Sequence, residues 1–173
     1  MSEFPVTRRG AFGALGVLAR APAITVRGAL AQPNVRFRDI VVDVSPLRAS
    51  VGDPTAAWVQ KELPGALAQA LAGYVAPGDR NGAILIARID YLYLGPSSGG
   101  TGAWRSSQDT INGTLLVKGP HGGIAAAMPI RAITSYHPMG VDQPLRVESN
   151  YWRVVALAQA FAGWAPRELG LQT

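Results

Sequence analysis

Residues 83–94, Ala-Ile-Leu-Ile-Ala-Arg-Ile-Asp-Tyr-Leu-Tyr-Leu, are the strongest β-strand signal in this chain of 173 residues. One set of alternate positions carries no charge and comprises Leu85, Ala87, Ile89, Tyr91 and Tyr93. The opposite side of the strand holds Arg88 and Asp90. This asymmetry is typical of a sheet that packs on one face and meets water on the other. We therefore expect both tyrosines to lie on the packed face.

The segment before this strand predicts a strand, a loop and a helix. Val35–Val44 alternates in the period of a pleated strand, and 45–52 is expected to be a loop. Asp53-Pro54 is a good helix start, because a capping carboxylate precedes proline at the first helical position. A leucine stripe at four-residue spacing follows and should face the core. Pro64 is expected to kink or split this helix.

Two more strands and a helix are predicted after the central strand. Thr110–Lys118 and Ile124–Tyr136 alternate as strands, and Pro129 indicates that the second lies at an edge or carries a bulge. Ser149-Asn150 can cap a final helix that Gly163 and Pro166 should end.

The order strand, helix, three strands, helix predicts an α+β fold. The expected architecture is a two-layer sandwich, with a four-stranded, mostly antiparallel sheet and two helices on one face. A right-handed crossover would make the first two strands parallel if they are neighbours.

The N-terminal segment has the pattern of a bacterial export signal. Arg8-Arg9 opens a short apolar run, too short for the roughly 20 residues that span a bilayer. The run closes at Ala29-Leu30-Ala31, a small-x-small pattern that a signal peptidase cuts after. Paired arginines favour the twin-arginine route, although Phe12 lies one position later than in the usual motif. The alternative is an amphipathic helix that stays attached.

Cleavage there would leave residues 32–173 as one domain, with residues 1–31 as the signal. We expect a soluble protein in the periplasm or outside the cell, which meets the membrane only during export. Removing four arginines and one glutamate from 16 basic and 11 acidic residues leaves 12 and 10. With no basic stretch interleaved with aromatic residues, nucleic acid is not an expected partner.

No catalytic, cofactor or metal site is predicted. The chain has no cysteine, which excludes disulfides, thiolate catalysis and a lipid anchor on cysteine. His121 and His137 have no familiar motif spacing and favour loop positions. A Gly-x-Ser-x-Gly elbow is absent around Ser45, Ser50, Ser106, Ser107, Ser135 and Ser149. The Gly/Ser run 97–102 lacks the helix start and lysine of a phosphate loop.

Charged side chains gather on the face of the sheet expected to meet water. Paired carboxylates there could do acid–base work of the glycosidase type. Mixed signs favour a solvated face crossed by weak ion pairs, each worth at most about 1 kcal/mol. These side chains are Asp39, Asp43, Arg88, Asp90, Lys118 and Arg131.

The strongest candidate binding residues are Trp104 and Arg105, in the loop between residues 95 and 107. An aromatic ring beside a guanidinium is enriched at binding hot spots. The indole could instead fold back onto the sheet, so both alternatives stay open.

The order of elements, the size and a helix that ends in Phe161-Ala162-Gly163-Trp164 resemble small α+β domains of cell-envelope auxiliary proteins. Examples are the lipopolysaccharide-assembly lipoprotein and lipoproteins that accompany lipid-transport ABC systems. This chain departs from them in lacking the lipid-bearing cysteine. The resemblance implies a non-enzymatic binding or assembly role and carries over no functional residue.

The favoured hypothesis is a periplasmic binding or adaptor domain with a protein or lipid-like partner. The alternative is a small enzyme, or an accessory subunit exported folded together with a partner.

Replacing Arg8 and Arg9 together by lysine should leave an uncleaved precursor in the cytoplasm, because the translocase recognises the arginine pair itself. Immunoblots of cytoplasmic and periplasmic fractions measure this. Mature protein beginning at Gln32, present in the periplasm at normal levels, would show that the twin-arginine assignment is wrong.

Overall fold

The structure is a computed structural model that describes residues 35–96, 107–136 and 146–171. It contains four strands and three helices. In chain order these are β1 (Phe37–Asp43), α1 (Ser45–Val51), α2 (Thr55–Ala70), β2 (Ala83–Tyr93), β3 (Ser107–Lys118), β4 (Ile124–Tyr136) and α3 (Arg146–Glu168).

The four strands form one sheet in the order β1-β2-β3-β4. β1 runs parallel to β2, while β2–β3 and β3–β4 are antiparallel. α2 and α3 pack against each other and cover one face of the sheet. The predicted α+β fold is confirmed, as are the parallel first pair and the edge position of β4.

The core lies between the sheet and the two long helices. Leu63 and Leu67 of α2 and Phe161 of α3 are fully buried against Leu85 and Ile89 of β2. The predicted leucine stripe of α2 therefore faces the core, where burying each such side chain stabilises the fold by about 1.5–3 kcal/mol.

Residues 45–51 form a short helix, so the prediction of a loop there was wrong. The carboxylate of Asp43 accepts the Ser45 N–H at 2.9 Å, and Pro46 suits the first turn because it has no N–H to satisfy. Leu47 is fully buried, and its burial stabilises a helix too short to persist alone.

Helix α2 runs through Pro64 without being split, contrary to one of the expectations from the sequence. The buried Leu63 and Leu67 lie on both sides of the proline, and their packing offsets the lost backbone bond. The helix begins at Thr55 with Pro54 at the N-cap position, one residue later than predicted, and the Asp53 carboxylate accepts the Ala57 N–H at 3.1 Å.

Helix α3 is longer than predicted at both ends. Ser149-Asn150 lies inside the helix rather than at its cap, and the helix continues past Gly163 and Pro166. Ala165 and Leu169 are buried, so tertiary packing outweighs the local preference to stop.

The end of α3 is set one turn later, at Gly170. That glycine has a φ of 69°, and its N–H donates to the Arg167 carbonyl at 3.0 Å. The Leu171 N–H donates to the Pro166 carbonyl at 2.9 Å, which completes a Schellman motif. Among the described residues, no helix has the length and apolar character needed to cross a membrane.

A β-bulge in β2 places Tyr91 and Tyr93 on the face opposite to the one predicted. Ile89 pairs with Gly113 and Tyr91 pairs with Asn112, so Asp90 is an extra residue. The extra residue reverses the alternation, because side chains switch faces at every position. Leu92 becomes buried, while each tyrosine is 46% exposed.

The bulge lies against a glycine on the neighbouring strand. A Cβ at Gly113 would come within 2.5 Å of the Arg88 carbonyl oxygen and 2.9 Å of the Ile89 Cδ1. β2 thus approaches β3 at a point where only glycine leaves room.

Gly113→Ala should lower the free energy of unfolding by about 1–3 kcal/mol, because the backbone of β2 must move to admit the methyl group. Gly119→Ala is the matched control, since its Cβ would meet only the Gly122 carbonyl at an ordinary 3.7 Å. Urea titration of both variants measures the difference. Equal losses would contradict the tight approach at the bulge.

Candidate functional site

The sheet face opposite the helices, termed the open face, is partly apolar. Strand pairing groups its side chains into rows that cross the sheet. An apolar row of Val41, Ile86, Leu116 and Ala127 crosses all four strands. The sequence predicted a largely solvated face and placed Tyr91 and Tyr93 on the packed side, and their exposure on this face corrects that prediction.

Two further rows, termed the tyrosine rows, lie beyond the bulge. The first is Tyr91–Asn112–Arg131 and the second is Tyr93–Thr110–Ile133. Ile133 is 49% exposed, comparable to the tyrosines. These rows provide aromatic and aliphatic surface beside polar groups, a composition enriched at protein interfaces.

The first tyrosine row contains a polar atom that the described residues leave unsatisfied. The side-chain oxygen of Asn112 is buried and accepts no hydrogen bond within the described part of the chain. An unpaired buried acceptor costs about 1–3 kcal/mol. Beside it, Arg131 makes no ion pair with any described residue, and the same is true of Lys118 near the other end of β3.

The acidic side chains of the open face are already engaged. Asp90 pairs with Arg88 at 2.9 Å, and the Asp39 carboxylate accepts the Ile40 N–H at 2.8 Å. The backbone N–H of Ser45 lowers the pKa of Asp43, with a smaller contribution from the charge of Arg88. These contacts favour the interpretation of a partly solvated, structural set of charges over paired catalytic carboxylates.

A buried ion pair lies where β2 ends and β3 begins, and we call it the loop stem. Arg153 of α3 and Asp109 of β3 pair through two hydrogen bonds, one of them Arg153 Nε to Asp109 Oδ2 at 2.8 Å. Their side chains are 5% and 1% exposed. Gly95 completes the stem, since its N–H donates to Asp109 at 2.9 Å and its carbonyl accepts from Arg153 at 2.6 Å.

The loop stem connects three elements with charge-assisted hydrogen bonds. Such bonds are short and directional, and a two-point guanidinium–carboxylate contact fixes orientation as well as distance. Asn150 adds a contact at 3.3 Å to the Arg153 Nη1. The stem therefore fixes where the chain enters residues 97–106 and how α3 lies over that end of the sheet.

Asp109 and Arg153 were not among the site residues predicted from the sequence, although their positions in the hydrophobic pattern indicate burial. Asp109 is in phase with the inward-facing Ile111 and Leu115 of β3. Arg153 lies four residues before Leu157 on the apolar face of α3. Opposite charges at two core-facing positions predict a buried pair, because an unpaired buried charge is costly.

An aromatic cluster joins α2 to α3 near the same end. The Tyr151 ring meets Trp58 edge to face at 5.8 Å and Trp152 at 5.4 Å. The Tyr151 hydroxyl donates to Glu62 at 2.7 Å, which lowers the pKa of that carboxylate. Lys61, beside Glu62 and the Tyr151 hydroxyl, has a raised pKa.

The predicted binding residues Trp104 and Arg105 lie outside the described residues, as do Arg8, Arg9, Ala29 and Ala31. The loop stem flanks the segment that carries Trp104 and Arg105. The described residues hold no cluster of three or more potential metal ligands. His121 is exposed in the turn between β3 and β4, as expected.

No protein-family model matches the chain, and no curated protein is significantly similar to it. Similar solved structures include a protein of Caulobacter crescentus CB15 classed as a lipoprotein, at 11% identity and a TM-score of 0.46. That match covers 76% of this chain and 87% of the other. A minor lipoprotein of Acinetobacter baumannii matches at 10% identity and a TM-score of 0.46, over 79% and 92%.

Asp109→Asn should lower the free energy of unfolding by about 3–5 kcal/mol, because it removes the carboxylate that pairs with the buried Arg153 guanidinium. Asp90→Asn, in the exposed pair with Arg88, should cost at most about 1 kcal/mol. Guanidinium titration monitored by tryptophan fluorescence measures both. A loss at Asp109 no larger than at Asp90 would show that the stem does not hold this end of the fold.

Proposed function

We propose that this chain is a non-catalytic binding or adaptor protein of the bacterial cell envelope, and that a protein partner docks on its open face. The observation that carries the proposal is the pair of tyrosine rows, in which Tyr91, Tyr93 and Ile133 are each about half exposed. The twin-arginine-like segment at Arg8-Arg9 supports export to the periplasm.

The open face has the features of a surface that another molecule covers. Its large exposed apolar side chains include Val41, Tyr91, Tyr93 and Ile133. Contiguous apolar surface rimmed by polar groups marks interaction sites on soluble proteins.

The charges on the face favour a partner that contributes carboxylates. Arg131 and Lys118 point from β4 and β3 without acidic partners among the described residues, whereas the acidic side chains of β1 and β2 are engaged. An acidic, partly apolar protein surface complements this arrangement, and charge complementarity adds specificity.

The loop stem supports a role for the adjoining segment. Binding residues often lie on loops that a fixed scaffold positions. Gly95 and Asp109 flank residues 97–106 in the chain, so the stem fixes the described residues on either side of the segment that contains Trp104 and Arg105. We therefore include these two residues in the proposed contact.

Tyr91→Ser with Tyr93→Ser should reduce partner co-purification at least tenfold while leaving the melting temperature nearly unchanged, because both side chains are about half exposed. Trp104→Ala with Arg105→Ala should also weaken it. The measurement is quantitative mass spectrometry of a periplasmic pull-down with tagged protein. Trp164→Ala is the matched control, since this residue is 43% exposed but lies on α3.

Equal recovery of the partner with the tyrosine variant and wild type would place the binding site elsewhere. Native mass spectrometry of the purified chain tests a lipid-like occupant. A bound lipid removed by the tyrosine substitutions would replace the protein partner in the proposal.

A further inference from the structure

The sheet has two edge strands, and β1 is protected. The Phe37 N–H donates to the Tyr74 carbonyl at 2.8 Å, and the Phe37 carbonyl accepts the Ala76 N–H at 2.8 Å. Further along, the carboxylate of Asp39 takes the Ile40 N–H. Charged side chains and covering segments of this kind keep an edge from pairing with another chain.

β4, the other edge, has no comparable protection from the described residues. It is 13 residues long and contains a single charged residue, Arg131. No described segment pairs with its outer side. Pro129 interrupts its first half, which leaves residues 130–136 as an uninterrupted edge.

Pro129 also indicates which backbone groups are free. Proline has no N–H, so within an edge strand its nitrogen faces away from the neighbouring strand. Because backbone groups alternate in direction along a strand, Arg131, Ile133 and Ser135 then present their N–H and C=O groups to the free edge. These groups form a template for a further strand.

We propose that β4 pairs antiparallel with β4 of a second copy of this chain, with Ile133 on the two-fold axis. In this register the outward-facing backbone groups of the two copies meet, and Arg131 lies opposite Ser135 of the other copy. A register centred on Arg131 would instead place two guanidinium groups opposite each other, which is destabilising. The isologous contact closes after two copies.

The pairing extends the sheet to eight strands. The second tyrosine row of each copy, Tyr93–Thr110–Ile133, then continues across the axis into the same row of the other copy. The open face stays accessible in this dimer. The inference is therefore independent of the proposed function, and either can fail without the other.

A single cysteine reports the register, because the chain has none of its own. In the proposed pair the two Ile133 Cα atoms lie about 5.5 Å apart, which a disulfide spans. The two Arg131 Cα atoms are offset by four residues along the paired strands. At about 3.4 Å per residue they lie about 14 Å apart, which is too far for a disulfide. Under mild oxidation Ile133→Cys should form a covalent dimer and Arg131→Cys should not.

Blocking the free edge gives a second measurement. Ile133→Pro removes only an outward N–H, so the ladder to β3 survives, while Ile133→Ala keeps that N–H. Light scattering after size exclusion should show a dimer for wild type and Ile133→Ala and a monomer for Ile133→Pro. Circular dichroism tests whether the proline variant is folded. If it is not, the cross-linking of Ile133→Cys and Arg131→Cys tests the proposed pairing instead.

Three results would overturn the proposal. The first is a monomeric wild-type chain, as when another segment of the same chain covers β4. The second is equal cross-linking at positions 133 and 131. The third is a dimer that persists in Ile133→Pro but dissociates in Tyr91→Ser with Tyr93→Ser, which would indicate face-to-face packing of the open faces.

Discussion

The buried ion pair between Asp109 and Arg153 is the contact on which one whole end of the molecule depends. Removing two charges from water is costly, and the attraction offsets that cost only when the geometry is good and the remaining polar atoms are bonded. Gly95 meets that condition by bonding to both partners through its own N–H and C=O. The pair therefore couples the end of β2, the start of β3 and the first turns of α3 into one arrangement.

The bulge at Asp90 has the second decisive effect, because it determines which residues the open face presents. Without it, strict alternation would bury Tyr91 and Tyr93 and expose Leu92. Gly113 makes the bulge possible by letting β2 approach where any side chain would collide with the Arg88 carbonyl. One extra residue on one strand and one missing side chain on the next thus place two half-exposed tyrosines on the open face.

The loop stem and the bulge at Asp90 both determine the structure at the same end of the sheet. The loop stem fixes the end of the sheet where the tyrosine rows lie, and the helices on the opposite face leave those rows uncovered. The proposed edge pairing through β4 uses backbone groups rather than the open face. A dimer of this kind would present two sets of tyrosine rows to partners on one continuous sheet.

The sequence by itself determined the class of the fold, because hydrophobic periodicity is a local property: the strand 83–94, the leucine stripe with Leu67 and the edge position implied by Pro129 all follow from spacing. It could also have indicated the stem, since Asp109 and Arg153 interrupt core-facing positions. Tertiary structure alone decided the rest. The continuation of α2 through Pro64 and of α3 through Pro166 reflects burial that outweighs local preference. Which face Tyr91 and Tyr93 occupy depends on Gly113, which lies 20 or more residues away in the chain. Such a contact between two strands produces no periodic pattern in the sequence of either strand, so the sequence alone did not predict it.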